Sequence, residues 1–122
     1  KETSDIISLH TNLNQSSRHI IDKQFIDDCK KSFCLINTAR GECISNHDLI
    51  YGLESDKIIG AGLDVLENEN KDFEGIAVDQ NLDKLKKFEN VILTPHIAGW
   101  SKESKVKLAQ ITVNKIKDFL DL

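Results

Sequence analysis

The sequence predicts an α/β protein built on an open parallel sheet with flanking helices. Three observations carry that expectation. Four short apolar runs alternate with helix-type segments, the runs are continuously apolar rather than alternating, and polar, titratable residues follow each run. Continuous apolarity is the pattern of parallel strands covered on both faces.

The runs are residues 5–10 (DIISLH), Phe33–Asn37 (FCLIN), 58–65 (IIGAGLDV) and 90–96 (NVILTPH). Between the first two, residues 22–31 (DKQFIDDCKK) open with a capping-type Asp and set Phe25, Ile26 and Cys29 on one face. Residues 45–55 (SNHDLIYGLES) start with Ser-x-x-Asp and group Leu49, Ile50 and Leu53. From Ser101 onward Val106, Ala109, Val113, Ile116 and Leu120 recur at spacings of three and four, one apolar stripe on a long helix. The acidic stretch 67–81 has no clear period and reads as a loop. The small residues of GAGLD (60–64) read as a place where a strand packs closely on a helix. Strand–helix alternation of this kind argues for a parallel sheet.

Composition narrows the function classes. The chain has 122 residues, 39% apolar and 30% charged, with net charge −4, the mixture of one globular domain. Its longest basic cluster is KLKK at 84–87, which argues against nucleic acid as a partner. No apolar run approaches the roughly 20 residues of a bilayer span, so a membrane is not expected either. Cys29, Cys34 and Cys43 read as reduced thiols of a cytoplasmic protein, two of them buried. The chain starts at Lys1 and has no methionine, the expectation for a piece of a longer protein.

Ligands of such sheets bind outside the carboxyl ends of the strands. There the sequence sets His10, Thr11 and Asn12, then Thr38, Ala39 and Arg40, then Asp64 with Glu67 and Glu69, and last His96 to Gly99. Arg40, Glu69 and His96 form the constellation of interest. A guanidinium pairs with a carboxylate through two parallel hydrogen bonds. An imidazole beside a carboxylate has its charged form favoured and can exchange a proton near neutral pH. Together they suit interconversion of a 2-hydroxy acid and a 2-oxo acid, the hydride coming from a nicotinamide cofactor. Each residue alone also fits a solvated surface role. Metal-ligand spacing is absent from the four histidines and three cysteines. Cys43 lacks an activating histidine, Ser45 and Thr38 lie in no nucleophile elbow, and GAGLD is not G-x-G-x-x-G.

Four stretches, SDIISLHTNLNQSSRHIID, LINTARGE, GAGLDVLENE and VILTPHIAGW, resemble in order and separation the D-isomer-specific 2-hydroxyacid dehydrogenases. That family includes phosphoglycerate, lactate, glycerate and formate dehydrogenases. The resemblance implies a partial Rossmann-type sheet, lacking the first strands and the G-x-G-x-x-G turn. Residues 1–100 would be the C-terminal half of the dinucleotide-binding domain, and 101–122 a long helix leading back toward the absent substrate domain. It implies Arg40, Glu69 and His96 as catalytic residues, with Glu69 preferred over Glu67 as the acid that pairs with His96. Thr11, Thr38, Ala39, Arg40, Asp64, His96 and Gly99 would contact NAD or NADP. Asn12, Asn70 and the Lys30–Lys31–Ser32 stretch depart from the family pattern without touching those three catalytic positions. A small 2-hydroxy or 2-oxo acid is the implied substrate and a homodimer the implied assembly of the intact protein, the chain alone being inactive. A dinucleotide-sensing corepressor-like module and a truncated product without function are the alternative readings.

Overall fold

The computed structural model describes residues 2–67 and 80–121. In chain order it comprises β1 (Ile6–Leu9), α1 (Lys23–Asp28), β2 (Phe33–Asn37), α2 (Asn46–Glu54), β3 (Ile58–Leu63), α3 (Gln80–Leu85), β4 (Val91–Leu93) and α4 (Lys102–Leu120). Short 3-10 turns occupy Gly41–Cys43 and Ala98–Trp100. All three strand pairings are parallel and the sheet order is β1-β2-β3-β4.

The helices start where side chains satisfy their first free N–H groups. Asp22 accepts from the N–H of Phe25, Ser45 from that of Asp48 and Ser101 from that of Ser104. The acidic stretch expected as a loop lies mostly outside the described residues. Its last two residues, Gln80 and Asn81, instead open α3. Leu85 and Phe88, three apart, pack into and against the core from this segment, with Leu85 fully buried.

The core lies on one side of the sheet. Leu9, Phe33, Leu35, Ile58, Ala61 and Leu63 are buried together with Ile26, Leu49, Leu53 and Leu85 from α1, α2 and α3. The register carries the opposite side chains to the other face, where Ile6, Ile36 and Ile92 are exposed, Ile92 to 69%. Ile59, the extra residue at a register shift between Phe33 and Cys34, is exposed too. Burial on both faces is therefore not met among the described residues. Within GAGLD, Ala61 packs into the core beside the helices, whereas Gly62 is uncovered, a Cβ built there meeting nothing within 4 Å. An isoleucine reads the same in a sequence whichever face it takes, so periodicity could not reveal this one-sidedness. α4 is likewise exposed, with no buried residue.

One-sided burial makes a direct expectation. Leu35→Ala should destabilise the chain by about 2–5 kcal/mol, whereas Ile92→Thr should change stability by no more than about 0.5 kcal/mol. Urea midpoints of the two variants check this, and equal losses would mean that both faces are covered.

Candidate functional site

Because every strand is parallel, the residues after β2, β3 and β4 leave the same edge. Backbone hydrogen bonds hold those exits in step. The Asp64 N–H donates to the Asn37 carbonyl (2.9 Å), the Thr94 N–H to that of Leu63 (3.0 Å), and the His96 N–H to that of Asp64 (2.9 Å).

The turn after β2 is shaped by a buried amide. Asn37, 1% exposed, accepts at Oδ1 from the Ala39 N–H and donates from Nδ2 to the Arg40 carbonyl, both at 3.0 Å. The turn leaves Thr38 exposed, Ala39 buried and the Arg40 side chain at the surface. Arg40 Nη1 donates to the Ala39 carbonyl at 2.6 Å, and the guanidinium makes no ion pair among the described residues. Among the described residues most of its five donors are thus uncommitted. Gly41 is required by space. A Cβ there would lie 1.9 Å from the carbonyl oxygen of Leu66, a backbone atom that no side-chain rotation can move aside. After β1, half-buried Thr11 donates from Oγ1 to the Asn12 carbonyl (3.2 Å).

The turn after β4 is organised by Asp64, whose side chain is 5% exposed at the end of β3. Its Oδ1 accepts from Thr94 Oγ1 (2.5 Å) and the Ile97 N–H (2.8 Å), and Oδ2 accepts from the Ala98 N–H (2.9 Å). Burial is the largest single influence on this carboxyl and would raise its pKa. The bonds from Thr94, Ala98 and Ile97, with the field of nearby His96, together outweigh burial and hold the carboxyl below its ordinary value. Between these anchors His96 has φ 54, a left-handed conformation uncommon for a side-chain-bearing residue, and its imidazole is exposed. Such strain persists where the flanking backbone is over-determined, as it is here by bonds to both Asp64 oxygen types. Gly99 lies in the following 3-10 turn with open space where a Cβ would project. Trp100 is exposed, with the Lys105 ammonium 5.9 Å from its ring centroid.

Arg40, Asp64, His96 and Gly99 therefore leave neighbouring strand ends, and Thr11, Thr38 and Ala39 line the same edge. Glu69 lies outside the described residues. The sequence reading missed Asn37 and Thr94. An amide closing an otherwise apolar strand is a turn-forming signal that could have found the first. Among the described residues no group of three His, Cys, Asp or Glu could hold a metal ion.

Two outcomes follow from this geometry. Gly41→Ala should cost at least about 2 kcal/mol, because backbone must move to admit the methyl group; an unchanged urea midpoint would contradict the close approach. Asp64, with its folded pKa depressed, stabilises the fold above the ordinary carboxylate value of about 3.9, and that contribution is lost as pH falls through the folded value. Below about pH 4 the unfolding midpoint of the native chain should therefore fall more steeply than that of Asp64→Asn. Parallel acid limbs would remove Asp64 from the account.

Comparison with known proteins identifies the family. The family described as D-isomer specific 2-hydroxyacid dehydrogenase, NAD binding domain, matches residues 1–98. An aromatic 2-oxoacid reductase of Clostridium sporogenes is 38% identical over 95% of this chain and 37% of its own length. A D-lactate dehydrogenase of Staphylococcus aureus is 38% identical over 91% of this chain and 35% of its own. The NAD-complexed D-isomer specific 2-hydroxyacid dehydrogenase of Lactobacillus delbrueckii ssp. bulgaricus superposes with a TM-score of 0.75 at 34% identity, over 96% of this chain and 37% of that one. The chain thus spans little more than a third of the length of these relatives. Its parallel sheet, its strand-end residues and its match over the first 98 residues agree, and the chain belongs to the D-isomer specific 2-hydroxyacid dehydrogenases, within their NAD binding domain.

Proposed function

We propose that this chain works within an NAD-dependent oxidoreductase that interconverts a D-2-hydroxy acid and the corresponding 2-oxo acid. The observation that carries the reading is the locked step of three neighbouring strand ends, which brings Arg40, Asp64 and His96 to one edge. The reductase and dehydrogenase activities named for the relatives support it.

In this reading the Arg40 guanidinium leaves the Ala39 carbonyl and grips the substrate carboxylate through two parallel hydrogen bonds. His96 donates a proton to the oxygen of the 2-oxo group as it becomes an alcohol, and takes it back in the reverse direction. Glu69 supplies the counter-charge for the imidazolium. The residues present fit the nicotinamide end of the cofactor. Asp64 uses three of the roughly four acceptor positions of a carboxylate, so one remains for an amide donor. The open space beside Gly99 admits a flat ring. When bound, NADH supplies the hydride that the protein's side chains cannot. Thr11, Thr38 and Ala39 complete the cofactor edge. Residues 1–100 serve as the C-terminal half of the dinucleotide-binding domain. The exposed helix α4, within residues 101–122, leads toward a substrate domain, which sets the choice among 2-hydroxy acids and joins a homodimer. The sequence contains no G-x-G-x-x-G, so the 122 residues alone are expected to show no ordinary turnover.

The test uses the intact protein, assayed for NADH-dependent reduction of a panel of 2-oxo acids. His96→Gln should lower kcat by at least about 10²-fold, the range expected on losing a general acid. Arg40→Lys should lower kcat/KM by a similar ~10²-fold, because an ammonium cannot reproduce the planar fork. Near-normal kinetics in either variant would remove that residue from the mechanism.

A further inference from the structure

Glu67 has no part in the chemistry above, yet both of its carboxylate oxygens are engaged. Oε1 accepts from His19 Nε2 at 2.7 Å, across 48 residues of sequence. Oε2 accepts from the N–H of Asn46, the first residue of α2, at 3.0 Å across 21 residues. An ionised carboxylate only accepts, so Nε2 is the ring nitrogen that carries hydrogen.

Both partners are held firmly from elsewhere. His19 has φ 49 and donates its N–H to the Glu42 carbonyl (2.8 Å), while Ile21 donates to that of Cys43 (3.2 Å) and bridges Ile44. Residues 19–21 therefore lie along the segment that follows Arg40. The chain leaving β3 presses on the same segment, with the Leu66 carbonyl filling the space beside Gly41. The Glu67 carboxylate joins these layers by reaching His19 on one and Asn46 on the other.

We propose that Glu67 is a positioning residue, whose carboxylate clamps the chain leaving β3 to the turn that carries Arg40. The clamp holds the Leu66–Glu67 backbone against Gly41 and so sets the backbone from which the Arg40 guanidinium projects. Its catalytic consequence rests on the dehydrogenase reading; the clamp itself does not.

The test compares Glu67→Ala and Glu67→Gln in the intact protein, with melting temperature recorded beside kinetics. Glutamine can accept from Asn46 at its oxygen and donate to the other tautomer of His19, so it preserves the clamp, while alanine abolishes it. Glu67→Ala should lower kcat at least ~10-fold with KM for the dinucleotide within about twofold, and Glu67→Gln should keep kcat within about threefold. A folded Glu67→Ala with native kcat, or a Gln variant as slow as the Ala variant, would overturn the proposal. Should Glu67→Ala fail to fold, His19→Asn takes its place. Asparagine tolerates the left-handed backbone but is too short to reach, and here a native kcat would overturn the proposal. Should the native protein itself reduce no 2-oxo acid, the dehydrogenase reading fails separately. Amide exchange in the 122-residue chain then decides the clamp. Faster exchange at Asn46 and shifted Arg40 and Gly41 resonances in the Ala but not the Gln variant support it, and unchanged spectra in Ala overturn it.

Discussion

The carboxylate of Asp64 is the constraint on which the site depends. β4 is only three residues long, and the helix that follows the turn has no buried side chain. Among the described residues, Asp64 makes the side-chain hydrogen bonds that hold the intervening turn. By accepting from Thr94, Ile97 and Ala98 it fixes the residues on both sides of His96, so the imidazole is carried on a backbone that cannot relax out of its left-handed conformation. Burial pushes this carboxyl's pKa upward, and the three donors with the field of His96 outweigh it and hold the carboxyl below its ordinary value. In the proposed function the same group offers its remaining acceptor position to a ligand, which would join the architecture of the turn to recognition at the edge.

Arg40 depends on a different economy. Among the described residues nothing grips the guanidinium itself beyond a neighbouring carbonyl, but its backbone is set by the Asn37 amide before it and by the Gly41 approach after it. A rigid base with an uncommitted head suits a side chain that must close on an anion, because the ordering cost of the backbone is met by folding rather than by binding. Glu67 extends the logic to the third segment by tying the exit of β3 to the same turn.

Much of this was legible in the sequence, for reasons that can be named. β2 coincides with its apolar run to the residue, and Asp22, Ser45 and Ser101 cap the helices they were expected to start. Those signals are local, since a cap or a short apolar run states its meaning within a few residues. The strand-end position of Arg40, Asp64 and His96 was legible too, because a parallel sheet sends every exit to one rim. α3 was hidden because its six residues are mostly polar and only Leu85, with Phe88 just beyond, marks its inner face. The open sheet face was hidden because partners outside a segment decide which isoleucines are covered. The roles of Asn37, Gly41 and Glu67 were hidden for the same physical reason. Each acts on a backbone group of a segment made adjacent only by folding, except for the short loop that Asn37 closes.

The central claim is that a 2-oxo acid draws Arg40 off the Ala39 carbonyl and sits between it and His96. A crystal structure of the intact protein with NADH and an unreactive 2-oxo acid analogue tests this most directly. The account predicts the analogue's carboxylate bound by two Arg40 nitrogens and its remaining oxygen about 3 Å from the His96 ring. An analogue bound away from this edge, with the guanidinium still on Ala39, would contradict it.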